Sequence, residues 1–298
     1  MELAIQALIA GLAAGAVYAL VGMGYNIVFS GTRIFNLAQG QVLMLGTMFT
    51  WTLREQMGLP DVISVILAAL LAGVANVIIE RTAVAPLYAR KGGSEHSRIL
   101  GTFITTLGAS IAIQNIAVAI WGLEPRPFKA YFPLTGLHLG GVTITAQQVF
   151  MVAIAVLAVF AYRLFAVRTK WGVGLSAMSE DAEAALMRGV PIIQGRMLAF
   201  FIAGVISGLG GAAIGPIAFA NPNLGFEFGL KGFVAIAIGG FGSTTGALWG
   251  GMILGMLEAI MVTYGNDQYR TYAGLLLMLV ILLLRPNGIA GRISLRRV

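Results

Sequence analysis

The run from Leu3 to Thr32, LAIQALIAGLAAGAVYALVGMGYNIVFSGT, contains no charged residue. About 20 predominantly apolar residues cross a bilayer as a helix, because about 30 Å of hydrocarbon is crossed at about 1.5 Å per residue. Further charge-free runs fill the chain, at 34–53, 62–79, 99–123, 130–162 and 197–226. This pattern predicts an all-α polytopic integral membrane protein, built as a helical bundle.

The composition also indicates that lipid is the main solvent. Of the 298 residues, 58% are hydrophobic and 10% are charged, whereas soluble domains carry about 25% charged residues. The absence of cysteine excludes disulfides and thiolate metal sites, and two distant histidines, His96 and His138, do not suggest a zinc or haem site. The net charge of +7 fits basic membrane loops, so we expect no nucleic-acid partner.

Glycine and proline divide the longer runs. A loop is predicted from Pro133 through Gly136, Gly140 and Gly141, before a helix over about 146–162, and a turn at 221–223. Residues 239–246, Gly-Gly-Phe-Gly-Ser-Thr-Thr-Gly, are predicted to form a tight hairpin between two helices. With a last helix over about 269–284, the prediction is about nine spans, or eight if the short seventh segment before this hairpin is re-entrant.

Lysine and arginine predict the orientation, because basic loops stay in the cytoplasm. With the amino terminus outside, four basic residues lie in outer loops: Arg54, Arg126, Lys129 and Arg270. The inner loops then hold Arg33, Arg81, Arg90, Lys91, Arg98, Arg163, Arg168, Lys170, Arg188, Arg196, Arg285, Arg292, Arg296 and Arg297. The asymmetry favours nine spans and a cytoplasmic carboxyl terminus.

The 40 glycines are expected to let helices approach closely in lipid. Five pairs stand four residues apart and are predicted to face neighbouring helices. They are Gly11 and Gly15, Gly204 and Gly208, Gly211 and Gly215, Gly246 and Gly250, and Gly251 and Gly255.

Polar side chains within the apolar runs are candidates for a translocation path, because polar groups at membrane depth are costly. They are Asn36, Gln39 and Gln41 at the start of the second span, Gln114 and Asn115 in the fourth, and Glu258, interpreted as a lone ionisable group in the eighth. Amides donate and accept hydrogen bonds, which suits a polar or zwitterionic solute. Alternatively, the amides join neighbouring helices and Glu258 has a structural ion-pair partner. The spacing of Glu227 and Lys231 predicts an intrahelical ion pair.

The longest inner loop, about 163–196, contains start and stop signals for a short helix. Acidic residues follow Ser179, and an Ala-Leu-Met run ends before Gly189 and Pro191. We predict a cytoplasmic helix of about ten residues, which is either a docking element or an ordinary interfacial helix.

No catalytic motif is present. The sequence has no G-x-x-x-x-G-K-[ST] loop, no H-E-x-x-H and no G-x-S-x-G, so we expect no enzyme activity, cofactor or metal in this chain. Any energy from ATP must come from another subunit. The alternatives are a self-contained channel or secondary transporter, and an intramembrane enzyme, for which no acid, base and nucleophile set is visible.

The sequence resembles the bacterial ABC-transporter permeases for branched-chain amino acids, and among them the H-type subunit. The resemblance runs essentially end to end and rests on three segments: the amide-rich segment 35–46, the loop 179–196, and a carboxyl-terminal glycine signature. The signature contains Gly239, Gly240, Gly242 and Gly246 within 229–259.

This resemblance implies one transmembrane permease domain, 1–298, in the bacterial inner membrane among its lipids. It implies a homologous M-type permease subunit, two cytoplasmic ATPase subunits carrying ATP and Mg, and a periplasmic or extracellular substrate-binding protein. The ATPase-coupling loop would lie at about 168–195, with its contacts at Ser179, Glu180, Asp181, Glu183, Ala184, Ala185, Arg188 and Gly189. Relatives often have histidine and glutamate where this chain has Gln39 and Gln41, so urea, short amides and aromatic carboxylates stay open as alternative substrates.

Overall fold

The computed structural model describes residues 2–89, 95–132, 136–139 and 141–291, without the side chains of 95, 96, 138 and 139. Some predicted features therefore lie outside the described residues. They are Arg90, Lys91, Arg292, Arg296 and Arg297 of the inner loops, Pro133 and Gly140 of the loop before the fifth span, and the side chains of His96 and His138.

Twelve helices and one β-hairpin make up the described part of the chain. The helices are α1 (Glu2–Thr32), α2 (Gln39–Trp51), α3 (Asp61–Ile79), α4 (Ala85–Ala89), α5 (Glu95–Trp121), α6 (Ala146–Arg168), α7 (Lys170–Glu180), α8 (Ala182–Met187), α9 (Ile192–Ala218), α10 (Leu224–Gly239), α11 (Thr244–Tyr264) and α12 (Arg270–Leu284). A π-helical turn (Thr52–Gln56) follows α2, a second one (Glu80–Val84) joins α3 to α4, and a 3-10 turn (Asp267–Tyr269) precedes α12.

Seven helices are long and apolar enough to cross a membrane: α1, α3 with α4, α5, α6, α9, α11, and α12 with its preceding turn. The multi-pass membrane architecture is thereby confirmed. The second and seventh predicted spans correspond instead to the short helices α2 and α10, of 13 and 16 residues. Both are largely buried among other helices, so their apolar character reflects protein neighbours as well as lipid.

The stretch predicted as loop before the fifth span contains a β-hairpin. Strand β1 (Leu137–Leu139) pairs with β2 (Val142–Ile144), and Gly141 supplies the turn with a φ of 87°. Three-residue strands are too short for a periodic signal. Helix α6 begins at Ala146 as predicted, where Thr145 and Gln148 form a capping box. It continues past 162 to Arg168, because a long arginine side chain such as Arg163 can extend to the interface.

The predicted glycine contacts hold the bundle together. A Cβ on Gly11 would lie 2.6 Å from the carbonyl oxygen of Gly255, so α1 and α11 touch backbone to backbone. Gly204 of α9 contacts α3 in the same way, because a Cβ added at Gly204 would lie 2.7 Å from the Gly73 Cα. Gly215 is the exception, because it faces the ring of Phe128 in a loop. Large side chains such as Tyr18, Met23 and Phe200 fill the centre.

Two ends of the bundle can be distinguished by contacts. At one end, Arg33 donates from Nη2 to the Ser179 carbonyl at 2.9 Å, which joins the end of α1 to the α7–α8 segment. The backbone of Ile289, after α12, bonds to Ile238 near the same end. At the other end, Gln6 in the first turns of α1 exchanges hydrogen bonds with Thr143 of the β-hairpin. The start of α1 and the α7–α8 segment thus lie at opposite ends.

We expect Gly15→Val to destabilise the bundle. The added side chain would overlap the carbonyl oxygen of Gly251 and approach Met252 Cα to within 2.8 Å. Overpacking of this kind costs about 1–3 kcal/mol, and it should appear as a lower melting temperature of the purified protein in detergent. Gly108→Val is the matched control, because an added Cβ there meets nothing within 4 Å among the described residues. Equal melting temperatures for both variants would contradict the packing role.

Candidate functional site

Two of the three predicted amides of the second span belong to one buried hydrogen-bond network. Asn36 Nδ2 donates to Asn76 Oδ1 at 2.9 Å, and Gln39 Nε2 donates to Ser207 Oγ at 2.7 Å. Asn76 on α3 in turn donates to the Phe200 carbonyl of α9 at 2.7 Å. All of these polar side chains are at most 1% exposed. The network joins α2, α3 and α9, which supports the structural alternative for Asn36 and Gln39, and their place on a path stays a prediction.

Gln41 differs from the other amides. Its side chain is 2% exposed, and its Oε1 has no hydrogen-bond partner among the described residues. The carboxamide lies against Gly225, in the first turn of α10, where a Cβ would overlap it. A buried acceptor without a donor costs free energy, and no hydrogen bond from the described residues offsets the burial of this oxygen.

Gln114 and Asn115 lie on α5, away from this network. Gln114 Nε2 donates to Asn223 Oδ1 at 3.2 Å, and Asn115 donates to the Ile111 carbonyl of its own helix at 2.8 Å. Asn115 is exposed on a helix of which little is buried. The structure therefore does not bring the five predicted amides into one site.

The sequence analysis interpreted Glu258 as a lone ionisable group, and this interpretation is wrong. Its Oε2 accepts from Tyr18 Oη and from Arg270 Nε, each at 2.8 Å, and lies 3.2 Å from Lys231 Nζ. Lys231 also bonds to Glu227 Oε1 at 2.9 Å, so the predicted intrahelical pair is confirmed. Glu227, Lys231 and Glu258 line a cavity of about 30 Å³ between α10, α11 and α12. The cluster is a four-helix ionic junction, and Lys231 is buried within it.

A second buried ion pair was missed by the sequence analysis. Glu80 is fully buried, and its Oε1 lies 2.5 Å from Nε of Arg196 near the start of α9. The guanidinium also stacks over the ring of Tyr88, 5.0 Å from its centroid. Sequence reasoning assigned Arg196 to a loop and treated Glu80 as the end of an apolar run. The available signal was the single acidic residue that directly ends an otherwise apolar helix.

The segment predicted to contain one short helix forms two helices. The residues Trp171 to Gly174, predicted as loop, belong to α7, and Ser179 lies in the last turn of that helix instead of capping the next. Asp181 is the cap, because its Oδ1 accepts from the backbone N–H groups of Glu183 and Ala184, at 2.9 Å each. Helix α8 therefore has six residues, and the predicted helix of about ten is too long.

Helix α8 carries an exposed apolar tip. Leu186 is 60% exposed and Met187 is 83% exposed, whereas Ala185 is buried. Gly189 follows with a φ of 83°, and its N–H donates to the Leu186 carbonyl at 2.9 Å. Glu180 ends α7, Ala184 lies within α8, and Arg188 is the C-cap of α8. Exposed apolar residues at a bundle end, outside the spans, are typical of a docking surface.

The glycine signature forms the hairpin between α10 and α11 that the sequence predicted. Gly240 and Gly242 have φ values of 111° and 82°, which other residues rarely adopt. Gly239 and Gly246 face each other across the turn. The Asn26 side chain of α1 is hydrogen-bonded to this hairpin. It donates to the Ser243 carbonyl at 2.9 Å and accepts from the Gly242 N–H at 2.9 Å. The signature glycines are thus explained by backbone conformation and close packing.

We expect Glu258→Gln to weaken the ionic junction, because Arg270 would then have no carboxylate partner among the described residues and Lys231 would keep only Glu227. The loss of hydrogen bonds to a charged group costs about 1.5–3 kcal/mol, measurable as reduced thermal stability in detergent. Glu227→Gln is the control, since the Glu227 side chain is 55% exposed and an exposed ion pair contributes about 0–1 kcal/mol. If Glu258→Gln and Glu227→Gln have the same effect, the junction does not stabilise the bundle.

Comparison with known proteins identifies relatives along the whole chain. Residues 7–284 match the model of the family described as branched-chain amino acid transport system, permease component. The chain is 31% identical to the high-affinity branched-chain amino acid transport system permease protein BraD of Pseudomonas aeruginosa, over 99% of this chain and 98% of that protein. It is 28% identical to LivH of Escherichia coli, which carries the same description, over 99% and 97%. It is also 25% identical to the fructose import permease protein FrcC of Rhizobium meliloti, over 89% of this chain and 73% of the relative.

Proposed function

Because the chain belongs to the family of permease components of branched-chain amino acid transport systems, we propose that it is the H-type permease subunit of a binding-protein-dependent ABC importer. It moves branched-chain or related amino acids across the plasma membrane into the cytoplasm. ATP and Mg are bound and ATP is hydrolysed by two separate subunits. A homologous M-type permease completes the membrane part, and an extracytoplasmic binding protein delivers the substrate.

The observation that carries this proposal is the exposed apolar tip of α8. Leu186 and Met187 project from a six-residue helix that is capped by Asp181 and terminated at Gly189. Arg33 and the start of α9 hold the segment at one end of the bundle. Such a surface suits a helix that inserts into a groove of a cytoplasmic ATPase.

The proposed orientation follows from this docking role. If α8 faces the cytoplasm, the end of α1, the hairpin between α10 and α11, and the backbone after α12 lie on the same side. The start of α1 then lies outside, together with the β-hairpin. This arrangement agrees with the charge asymmetry of the loops and with delivery of substrate from the opposite side.

Reconstitution tests the proposal. The chain would be co-expressed with its M-type partner, ATPases and binding protein, purified, and placed in liposomes. We expect uptake of radiolabelled leucine only when ATP and binding protein are both present. Uptake by this chain alone without ATP would instead show a channel or secondary transporter. Failure to recover a complex with the ATPases would contradict the importer.

The relative described as a fructose import permease makes a sugar the second candidate substrate. Mass spectrometry of the solute bound to the purified assembly separates the two. A branched-chain amino acid is expected, and a sugar, urea or an aromatic carboxylate would overturn the substrate part of the proposal while leaving the importer intact.

A further inference from the structure

The bundle contains an internal inverted repeat. Gly22 of α1 faces Gly232 of α10, with 3.2 Å from an added Cβ to the carbonyl oxygen. Gly208 of α9 faces Gly46 of α2, with 2.6 Å from a Cβ added at Gly46 to the Gly208 Cα. A shift of 186 positions relates 22 to 208 and 46 to 232. The helices α1 and α2 therefore correspond to α9 and α10.

The third helices of the two halves, α3 and α11, correspond as well. Gly22 faces Ala247 and Gly208 faces Ala69, and a shift of 178 positions relates 69 to 247. The same shift relates Glu80 to Glu258, the two buried carboxylates. The ion pairs of the bundle are thus equivalent features of two halves.

The two halves run in opposite directions. Along α1, Leu20, Gly24 and Gly31 meet residues of decreasing number on α9, which are Gly210, Ser207 and Ala199. Antiparallel first helices make the repeat inverted. In secondary transporters built from inverted repeats, unusually short helices at corresponding positions point to the substrate site, and we apply the same geometric argument here.

The short helices α2 and α10 occupy those corresponding positions, and their first turns meet. A Cβ added at Gly229 would lie 3.2 Å from the Gly40 Cα, and one added at Gly40 would overlap the Gly225 carbonyl. Gln39, beside Gly40, reaches Ser207 near the middle of α9. The helices therefore begin in the interior of the bundle and proceed to opposite ends.

Neither of these N-termini has a side-chain cap in the described structure. Side chains cap α6, α7, α8 and α11, whereas α3, α9 and α12 also lack a side-chain cap, so the interior position of α2 and α10 is what distinguishes them. The N–H groups of Gln39, Gln41 and Leu224 already bond to backbone carbonyls at these ends, so the remaining N–H groups of the two first turns and the positive ends of the helix dipoles are what favour an anion. Beside the first turn of α10 lies the Gln41 Oε1, the buried acceptor that has no donor among the described residues.

An anion-seeking helix end next to an acceptor that lacks a donor is complementary to a zwitterion. We propose that the facing N-terminal turns of α2 and α10, with Gln41, form a binding site for the α-carboxylate and α-ammonium groups of an amino acid. The carboxylate accepts from the backbone N–H groups, and the ammonium donates to Gln41 Oε1. The turns touch each other in this conformation, so they separate when the substrate passes.

This inference rests on the proposed function, because it assumes that the transported solute is an amino acid. In this site, neutral protein atoms recognise the α-carboxylate and α-ammonium groups of the substrate. No ionisable side chain takes part, so the site holds a zwitterion weakly enough to release it.

Equilibrium binding tests the site. The complete transporter, in nanodiscs and without binding protein or ATP, would be titrated with radiolabelled leucine. Leucinamide, which lacks the carboxylate, and 4-methylpentanoate, which lacks the ammonium, would serve as competitors. We expect each to compete at least about tenfold less well than unlabelled leucine, since each loses hydrogen bonds to a charged group.

Gln41→Leu separates the two contacts. We expect leucine to bind about tenfold more weakly and to lose its advantage over 4-methylpentanoate, while its advantage over leucinamide is retained. Gln147→Leu is the matched control, because Gln147 Oε1 is also buried without a partner among the described residues but lies at the start of α6. Its binding should equal that of the wild type.

The outcomes are distinguishable from failure of the proposed function. If the reconstituted transporter takes up no leucine, the proposed function as an amino-acid importer is contradicted, and so is the inferred binding site. A transporter that takes up leucine, but binds no leucine or binds all three compounds equally, overturns the inference alone. If Gln41→Leu does not fold, the wild-type competition still decides.

Discussion

Arg196→Met is expected to lower the free energy of unfolding by about 3–5 kcal/mol, the usual cost of leaving a buried charge without its partner. Glu80 is fully buried, and Arg196 supplies its closest cation at 2.5 Å. The second oxygen, Oε2, accepts no hydrogen bond from the described part of the chain and lies 3.8 Å from Arg81 Nε. The carboxylate would therefore keep only a distant and half-exposed cation.

Thermal unfolding of the purified protein in detergent measures this effect. The double variant Glu80→Met/Arg196→Met should recover most of the stability, because an apolar pair of similar volume often replaces a buried ion pair without loss. Arg81→Met is the control, and a change below about 1 kcal/mol is expected for an exposed pair. A double variant as unstable as Arg196→Met would show that the arginine acts through packing on Tyr88 instead.

Gly189→Pro is expected to reduce leucine uptake per ATP hydrolysed by about tenfold or more, with the bundle still folded. Gly189 has a φ of 83°, which proline cannot adopt, and proline also removes the N–H that bonds to Leu186. The end of α8 must then change shape, and its exposed tip would no longer fit the ATPase subunit that we propose as its partner.

The ratio of uptake to ATP hydrolysis in proteoliposomes measures the coupling. Gly189→Asn is the matched control, since asparagine tolerates positive φ and should retain most of the coupling. The melting temperature of both variants should stay near that of the wild type, because Gly189 lies outside the spans. If the ratio of uptake to ATP hydrolysis is unchanged in Gly189→Pro, the α8 segment has no role in coupling.

The sequence predicted the class of fold because membrane spans leave a compositional signal. Charge-free runs located α1, α3, α5, α6 and α9, and the predicted hairpin at 239–246 and the predicted last helix located α11 and α12. Hydropathy did not distinguish the short helices α2 and α10 from spans, since a helix surrounded by other helices is as apolar as one surrounded by lipid. The β-hairpin around Gly141 was invisible for the opposite reason, because its strands are too short to show a period.

The site could be predicted only where its chemistry is local. Gly240 and Gly242 identified a hairpin from neighbouring residues alone. The partners of Glu258 come from α1, α10 and the start of α12, and nothing in the sequence near Glu258 indicates Tyr18. The start of α8 was placed at Ser179 instead of Asp181, because both residue types cap helices and the preceding helix α7 contains glycine.

The contact between α1 and α11 has a consequence for biosynthesis. Tyr18 and Glu258 are 240 positions apart, and at about 5–20 residues per second the second is made roughly 12–50 s after the first. During that interval the glycine face of α1 has no α11 to cover it. The nascent first helix must wait in the membrane, and a chain truncated before α11 would leave that face available to whichever neighbouring helix meets it first.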